Sequence, residues 1–127
     1  MAVASGAFLR FCLVGVVGFV VDAGLTLLFT QAAQWPPLPS RVAAFLLAAT
    51  ATWLLNRRYT FRSTAGARSW MPYVAATSFG AVINISVYWL WLGIAGESPA
   101  AILGGVALGS VMALAFNYFV SRAIFAR

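Results

Sequence analysis

The sequence is poor in the side chains that carry most enzyme chemistry. Its 127 residues include no histidine, one cysteine and two carboxylates, Asp22 and Glu97. The single Cys12 cannot form an intrachain disulfide, and no serine or cysteine has an evident general base nearby. These absences disfavour an enzyme, and they give no grounds for a metal ion or another cofactor.

Charge is scarce as well. Only 8% of the residues are charged, against about 25% in ordinary soluble proteins, while 63% are hydrophobic. Such a chain cannot cover itself with polar surface. Long apolar stretches lie at residues 11–33, 42–55, 71–94 and 100–120. About 20 residues cross the hydrocarbon core, and the short second stretch reaches this length if Ser40 is the N-cap and the helix continues to Tyr59.

The composition therefore predicts an all-α membrane protein with a single domain over residues 1–127. Four transmembrane helices in a bundle are expected at about residues 10–33, 40–59, 70–94 and 100–121. The first helix is not expected to be a cleaved signal peptide. Its apolar run is longer than the 7 to 15 residues of a signal peptide's apolar region, and it contains Asp22.

The arginines are distributed unevenly between the two sides of these helices. If the helices alternate in direction, Arg41 lies on one side and seven arginines lie on the other: Arg10, Arg57, Arg58, Arg62, Arg68, Arg122 and Arg127. This positive-inside pattern predicts that both termini and the central loop are cytoplasmic, and places the chain in the cytoplasmic (inner) membrane of the cell. Flanking aromatic side chains, including Trp53 and Tyr73, are expected at the membrane interface.

The chain also shows signs of an internal repeat. Aligning "TWLLNRRYTF" at 52–61 with "NYFVSRAIFA" at 117–126 places Arg57 on Arg122 and brings aromatic residues together, with a slip of one place near the end. Two helices per repeat would give both copies the same orientation. The alignment thus predicts two parallel helix-hairpin repeats related by an axis along the membrane normal.

Each predicted helix has one face of small and polar residues. At helical spacing these faces are Gly15, Gly18, Asp22 and Thr26; Ala44, Ala48, Thr52 and Asn56; Gly80, Asn84 and Tyr88; and Gly105, Gly109, Ala113 and Asn117. In lipid, close backbone approach and interhelical hydrogen bonds hold such faces together. The faces predict helix-packing seams, and the sequence leaves a homo-oligomer open.

Asp22 is the one carboxylate inside a predicted span. A charged side chain at the centre of a bilayer costs about 2.5 to 3.5 kcal/mol, so Asp22 should face the interior of the bundle. We expect Thr26, Asn84 or water as its neighbours, because Arg41 reaches it only if the second helix begins deeper than the sequence suggests. Asp22 either stabilises a contact between helices or serves as a polar group that binds a substrate headgroup or a proton.

The arginines divide into two groups by position. Arg10, Arg68 and Arg127 are expected to set the topology and to bind anionic lipids. By contrast, Arg57, Arg58 and Arg122 lie flush with helix ends, where their side chains are expected to converge on a phosphate at headgroup level. Nucleic acid is not expected as a partner, because the basic residues lie against the bilayer and no soluble module presents them.

Three segments together resemble the GtrA-like family of small four-helix membrane proteins. They are "RFCLVGVVGFVVDAGLTLLF" at 10–29, "NRRYTF" at 56–61 and the echo "NYFVSR" at 117–122. The resemblance covers the whole chain and places weight on Arg10, Asp22, Asn56, Arg57, Arg58, Phe61, Asn117 and Arg122. The second copy departs from the pattern at Ala123 and Ala126, where an aromatic or apolar residue is more usual.

The resemblance implies a role with polyprenyl-phosphate-linked sugars. Family members are thought either to flip the lipid-linked sugar or to serve as membrane partners of the glycosyltransferase that makes it. For this chain it implies that Arg57, Arg58 and Arg122 neutralise the phosphate, and that Asp22, Asn84 and Thr26 line a wet groove. The sequence has no Gly-rich phosphate-binding loop, so transport would be downhill, coupled to an ion or driven by consumption of the product.

Three functions of different kinds stay open at this point. The first is a flippase for a lipid-linked sugar, and the second is an anchor that recruits or organises a glycosyltransferase without transport. The third is a small multidrug-type exporter, which also has four helices with an acidic residue in the first. Such exporters commonly insert in both orientations, and the arginine bias of this chain disfavours that behaviour.

Overall fold

The computed structural model describes the backbone of residues 2–126 and the side chains of residues 6–126. Helix α1 spans Ala2–Leu27 and continues as a π-helical turn over Leu28–Ala32. Helix α2 spans Pro37–Leu55 and likewise continues as a π-helical turn, over Asn56–Thr60. A short 3₁₀ turn at Ala67–Ser69 leads into α3 at Trp70–Ala95, and α4 follows at Pro99–Phe125. All four helices are long and apolar enough to cross a membrane, and residues 2–126 contain no strand. The predicted four-helix membrane fold is confirmed. Arg127, counted in the arginine bias, lies outside the described residues.

Two proline-containing turns begin the helices α2 and α4. Proline is tolerated in a first helical turn because its missing N–H would have no partner there. Helix α2 begins at Pro37 rather than at Ser40, so the prediction of Ser40 as N-cap was wrong. Ser40 is fully buried inside the first turn, and its hydroxyl donates to the Pro36 carbonyl at 2.9 Å. In α4, Ser98 is the N-cap, and its hydroxyl accepts from the Ala101 N–H at 3.2 Å.

The bundle consists of two helical hairpins, because α1 packs mainly against α2 and α3 mainly against α4. In the first hairpin a Cβ added to Gly18 would lie 2.5 Å from Cγ2 of Thr52. In the second hairpin, Gly80 contacts the amide of Asn117 just as closely. The sequence alignment pairs Thr52 with Asn117, so the same glycine contact recurs at equivalent places. This recurrence agrees with the predicted repeat.

The two ends of the bundle differ in character. We call one the arginine end, where Arg10, the loop after α2 and the last turn of α4 lie together. The Ser63 hydroxyl, in this loop, donates to the Phe125 carbonyl at the end of α4 at 2.6 Å. The other is the proline end, formed by the turns before Pro37 and Pro99. All the described arginines except Arg41 therefore belong to the arginine end.

The aromatic core lies at the arginine end and joins the two hairpins. Phe61 stacks on Phe125 with ring centroids 5.4 Å apart, and Phe125 also contacts Tyr73. Trp53 and Tyr73, predicted at the membrane interface, are instead buried, with 8% and 3% of their surface exposed. The indole N–H of Trp53 donates to the Ser69 hydroxyl at 3.0 Å, so the protein supplies the polar partner that the interface would have provided. This core fixes the position of the loop that follows α2.

Candidate functional site

A surface pocket of about 610 Å³ lies at the end of α2, and we call it the arginine pocket. It is lined by Leu54, Leu55, Arg57, Arg58, Tyr59, Arg62 and Ser63. The guanidinium carbon of Arg57 lies 5.4 Å from the centre of the Trp53 ring, and that of Arg58 lies 5.5 Å from the centre of the Tyr59 ring. A cation–π contact orients a guanidinium but leaves its charge in place. Among the described residues no carboxylate pairs with these arginines, so the pocket is strongly electropositive.

The backbone that carries these arginines is a π-helical turn followed by a sharp change of direction. The Phe61 N–H donates to the Asn56 carbonyl at 2.9 Å, which closes the wide turn, and the Ser63 N–H donates to the Arg57 carbonyl at 2.8 Å. Arg62 lies between these two donors in the left-handed region, at φ 48°. A left-handed non-glycine residue is strained and often marks a functional segment. Here the conformation folds Arg62 back beside Arg57 and Arg58.

Arg10 ties α1 to the same turn. Its Nη2 donates to the Thr60 carbonyl at 3.2 Å, and its Nε is buried with no hydrogen-bond partner among the described residues. A cation near the last turn of a helix also interacts favourably with the carbonyl end of the helix dipole. The structure therefore places Arg10 against the π-helical turn after α2, as a residue that holds this turn in position.

Arg122 does not line the arginine pocket. It lies exposed in the last turn of α4, whereas Arg62 takes the place beside Arg57 and Arg58 that the sequence interpretation gave to Arg122. The repeat explains the difference. Because Arg122 is the counterpart of Arg57 in the other hairpin, the pseudo-symmetry separates the two residues instead of bringing them together.

A second space, the central cavity, lies between the helices, has a volume of about 210 Å³ and opens to the surface of the bundle at the exposed Phe19. All four helices contribute to its wall. Its polar lining residues are Asp22, Thr52, Asn56, Tyr73, Thr77 and Asn117. The remainder of the wall is small or apolar, including Gly15, Gly18 and Phe11. The cavity therefore offers a set of hydrogen-bonding groups at a depth where lipid offers none.

A chain of hydrogen bonds joins the turn that carries the arginines to the central cavity. The Asn56 amide donates to the Tyr73 hydroxyl at 3.0 Å, and this hydroxyl donates to Thr52 at 2.9 Å. The Thr60 hydroxyl donates to the other side of Asn56, at 2.7 Å from its Oδ1. Asn56 is 2% exposed and precedes Arg57 directly. The network thus links the residues that line the cavity to the turn that carries the arginines.

Asn117 provides an acceptor that the described residues leave unused. Its Oδ1 is buried and has no hydrogen-bond partner among them. The close contact with Gly80 holds this amide in place between α3 and α4. This oxygen lies against Gly80 and is closed to solvent, so the packing of α3 on α4 leaves it unpaired at a cost of about 1 to 3 kcal/mol.

Asp22 and Arg41 form an ion pair, with 3.1 Å between Nη1 and Oδ1. The prediction that Arg41 lies too far away was wrong. Helix α2 begins at Pro37, three residues earlier than expected, so about one helical turn precedes Arg41. The long side chain of Arg41 extends along the helix towards the centre of the bundle and contacts the carboxylate. Thr26 is a neighbour of Asp22, as predicted, and its hydroxyl donates to the same Oδ1 at 3.5 Å.

Asn84 was also expected near Asp22, but it lines a different space. It packs between α3 and α4, where a Cβ on Gly109 would lie 2.5 Å from its Oδ1. With Tyr88 and Ser110 it lines a cleft of about 220 Å³, separate from the central cavity. Asn84 follows Gly80 by four residues, as Asp22 follows Gly18, so the two occupy equivalent positions in the two hairpins. Their similarity in the sequence reflects the repeat and not a shared site.

Several residues of these sites were not anticipated as such. Arg41 and Arg62 carry charges at the sites, and Tyr73 and Thr77 line the central cavity. The spacing of Tyr73 and Thr77 by one helical turn is the signal that could have found them, since it extends the polar face of α3 towards the arginine end.

Comparison with known proteins gives one finding about the whole chain. The family described as GtrA/DPMS, transmembrane domain, matches residues 10–125. This match includes every residue that lines the arginine pocket and the central cavity. A search of curated proteins found no match.

Proposed function

Because the chain belongs to the GtrA/DPMS transmembrane-domain family, whose members are membrane proteins linked to the handling of polyprenyl-phosphate sugars, we propose that it flips a polyprenyl-phosphate-linked sugar across the cytoplasmic membrane. The arginine end faces the cytoplasm in this proposal, as the positive-inside pattern favours. The lipid phosphate binds in the arginine pocket, and the sugar passes through the central cavity. The proposed product is a lipid-linked sugar on the outer face, available for the synthesis of cell-surface polysaccharide or for glycosylation.

The arginine pocket suits the phosphate of such a lipid. Arg57, Arg58 and Arg62 have no carboxylate partner among the described residues, and guanidinium groups bind phosphate oxygens in pairs. Leu54 lines the same pocket and is 51% exposed on the outside of the bundle. A lipid bound there therefore places its phosphate on the arginines while its tail stays in the membrane.

The central cavity suits the sugar, and this observation carries the proposal. At about 210 Å³ it is smaller than the 300 to 1,000 Å³ of typical ligand pockets, and its size fits one sugar ring. Its hydroxyl and amide groups match the hydroxyl groups of a sugar. A protein that only anchors a glycosyltransferase has no need of a polar cavity within the membrane.

The arrangement of the hairpins supports movement of one against the other. Contacts within each hairpin are much more extensive than the contacts between hairpins. Rocking of two repeats about a shared site is a common mechanism of transport in membrane proteins. We further propose a membrane glycosyltransferase as a partner, which would supply the lipid-linked sugar at the arginine end, and consumption of the sugar on the other face would drive the flow.

Transport in liposomes tests this function. The purified protein is reconstituted with a panel of polyprenyl-phosphate monosaccharides, and periodate, which does not cross membranes, oxidises only the sugars on the outer leaflet. We expect the protein to make the inner-leaflet sugars accessible to periodate for at least one member of the panel. The double variant Arg57→Lys, Arg58→Lys should be slow, and the matched control Arg68→Lys should be as active as the unmodified protein. If periodate oxidises the inner-leaflet sugars no faster with the protein than in protein-free liposomes, for every sugar in the panel, anchoring is the better account.

A further inference from the structure

We propose that Arg41 is a second phosphate-binding residue, at the proline end. In this proposal the guanidinium stays paired with Asp22 until a lipid phosphate displaces the carboxylate. The inference rests on the proposed function, since it assigns the residue that receives the phosphate on the far side of the membrane. Nothing in the family match assigns this role to Arg41.

The position of Arg41 is unusual for an arginine in a membrane helix. It is the fifth residue of α2, about 6 Å from the helix start, which is close to headgroup level. The contact between Gly18 and Thr52 fixes the register of the hairpin and places Asp22 level with residue 48, about 10 Å deeper than Arg41. Arginines near helix ends ordinarily extend outward to the interface. Arg41 instead extends inward, where Nη1 contacts Asp22 at 3.1 Å and Thr26 at 3.2 Å.

The exposure of the Arg41 side chain leaves room for its guanidinium to move away from Asp22. The Arg41 side chain is 56% exposed, while that of Asp22 is 23% exposed. Rotation about the side-chain bonds of Arg41 is enough to bring its guanidinium to the headgroup level of the outer leaflet. The structure shows the inner position of this cation, held by Asp22, and our proposal adds an outer position.

The second hairpin acts as an internal control. The offsets that relate Gly18 to Gly80 and Thr52 to Asn117 place Asn84 at the position of Asp22 and Val106 at the position of Arg41. The second hairpin therefore has no ion pair at this place, and yet α3 and α4 pack together more extensively than α1 and α2 do. Packing of such a hairpin does not require the pair, so its presence in the first hairpin calls for another reason.

The chemistry of the guanidinium supplies that reason. Its paired N–H groups fit a carboxylate and a phosphate equally well, so one can replace the other. Three arginines without carboxylate partners face a phosphate in the arginine pocket, whereas a phosphate at Arg41 meets one arginine and a competing carboxylate. Binding at the proline end is therefore the weaker of the two, which is what release requires.

Binding of geranyl phosphate to the protein in phosphatidylcholine nanodiscs tests the inference. The starting variant is Arg57→Gln, Arg58→Gln, Arg62→Gln, which removes the charge of the arginine pocket. In this background Asp22→Asn should raise the affinity for geranyl phosphate up to about fivefold, because it removes the competing carboxylate. Adding Arg41→Gln should abolish the gain. An affinity that does not respond to Asp22→Asn, or a gain that survives Arg41→Gln, contradicts the inference.

Transport by the same variants without the changes in the arginine pocket separates the remaining explanations. Asp22 acts through Arg41 in our proposal, so Asp22→Asn, Arg41→Gln should transport as slowly as Arg41→Gln alone. If both single variants lose stability and the double variant regains both stability and full transport, the pair serves packing and the inference is wrong.

Arg41→Lys keeps the charge and should keep the melting temperature while slowing transport. If the unmodified protein fails to transport while the nanodisc affinities change as expected, the flippase function fails and the phosphate site at Arg41 stands.

Discussion

Gly80→Ala is expected to destabilise the hairpin of α3 and α4, because there is no space for a methyl group at this position. The added Cβ would overlap Oδ1 of Asn117 and would lie 2.8 Å from its Cγ and 2.9 Å from its Nδ2. Real Cβ atoms essentially never approach other heavy atoms below 3.0 Å, so either the amide turns away or the two helices separate. Both responses disturb the polar wall of the central cavity.

The magnitude follows from two opposing effects. Overpacking of a close contact costs about 1 to 3 kcal/mol, whereas alanine is favoured over glycine within a helix by about 0.5 to 1 kcal/mol. The net destabilisation should be about 0 to 2.5 kcal/mol, and relative to a glycine with free space around it the whole overpacking cost of about 1 to 3 kcal/mol should appear. Gly93→Ala in the same helix is the matched control, because a Cβ at Gly93 has no neighbour within 4 Å. That control should leave stability unchanged or slightly raised.

Thermal unfolding in detergent, followed by tryptophan fluorescence, measures the two variants side by side. The double variant Gly80→Ala, Asn117→Ala should recover most of the loss, because removal of the amide removes the overlap. Equal melting temperatures for Gly80→Ala and Gly93→Ala would refute the close approach of α3 and α4. A loss in Gly80→Ala that Asn117→Ala does not relieve would show that the overlap with the amide is not its cause.

Three further predictions concern the sites and the topology. The double variant Arg57→Lys, Arg58→Lys should insert normally but flip lipid-linked sugar at least about tenfold more slowly, because lysine keeps the charge and loses the paired N–H groups; full activity in the periodate assay would reduce these arginines to topology signals. Gly15→Leu should fold normally, since a Cβ there has no neighbour within 4 Å, yet block transport by filling the central cavity; unchanged transport would move the sugar path elsewhere. After replacement of Cys12, a cysteine at Ser98 should react with an impermeant thiol reagent in whole cells and one at Ser63 should not, and the reverse pattern would invert the orientation.

Composition and spacing were sufficient for the helices and for the arginine-rich turn. Apolar length alone locates a membrane helix, because the bilayer demands it whatever the neighbours are. Likewise, Arg57 and Arg58 follow a long apolar run directly, and their place at the end of α2 needs no tertiary information. The family resemblance drawn from the same motifs agrees with the family match over residues 10–125.

Side-chain partners were harder to predict, for physical reasons that particular residues illustrate. Trp53 and Tyr73 lie near helix ends, where an amphipathic aromatic side chain fits either the lipid interface or a protein core, and only the packing decides. Arg41 was missed because helix position indicates where a Cα lies, while a long side chain can change the depth of its charge by about one helical turn. Asn84 and Asp22 have the same spacing from a glycine, and the sequence does not say that one faces the central cavity and the other a separate cleft.

The divergence of the two hairpins supports a division of labour in the proposed transport. The glycine contacts at Gly18 and Gly80 are shared, so the backbone packing of the repeat has been kept. Charge at the described sites belongs to the first hairpin and its following loop, which carry the arginine pocket and the pair of Asp22 with Arg41. The second hairpin supplies neutral hydrogen-bonding residues to the central cavity, namely Tyr73, Thr77 and Asn117. A lipid-linked sugar has one charged phosphate and one neutral polyhydroxyl ring, so the first hairpin matches the phosphate and the second matches the sugar.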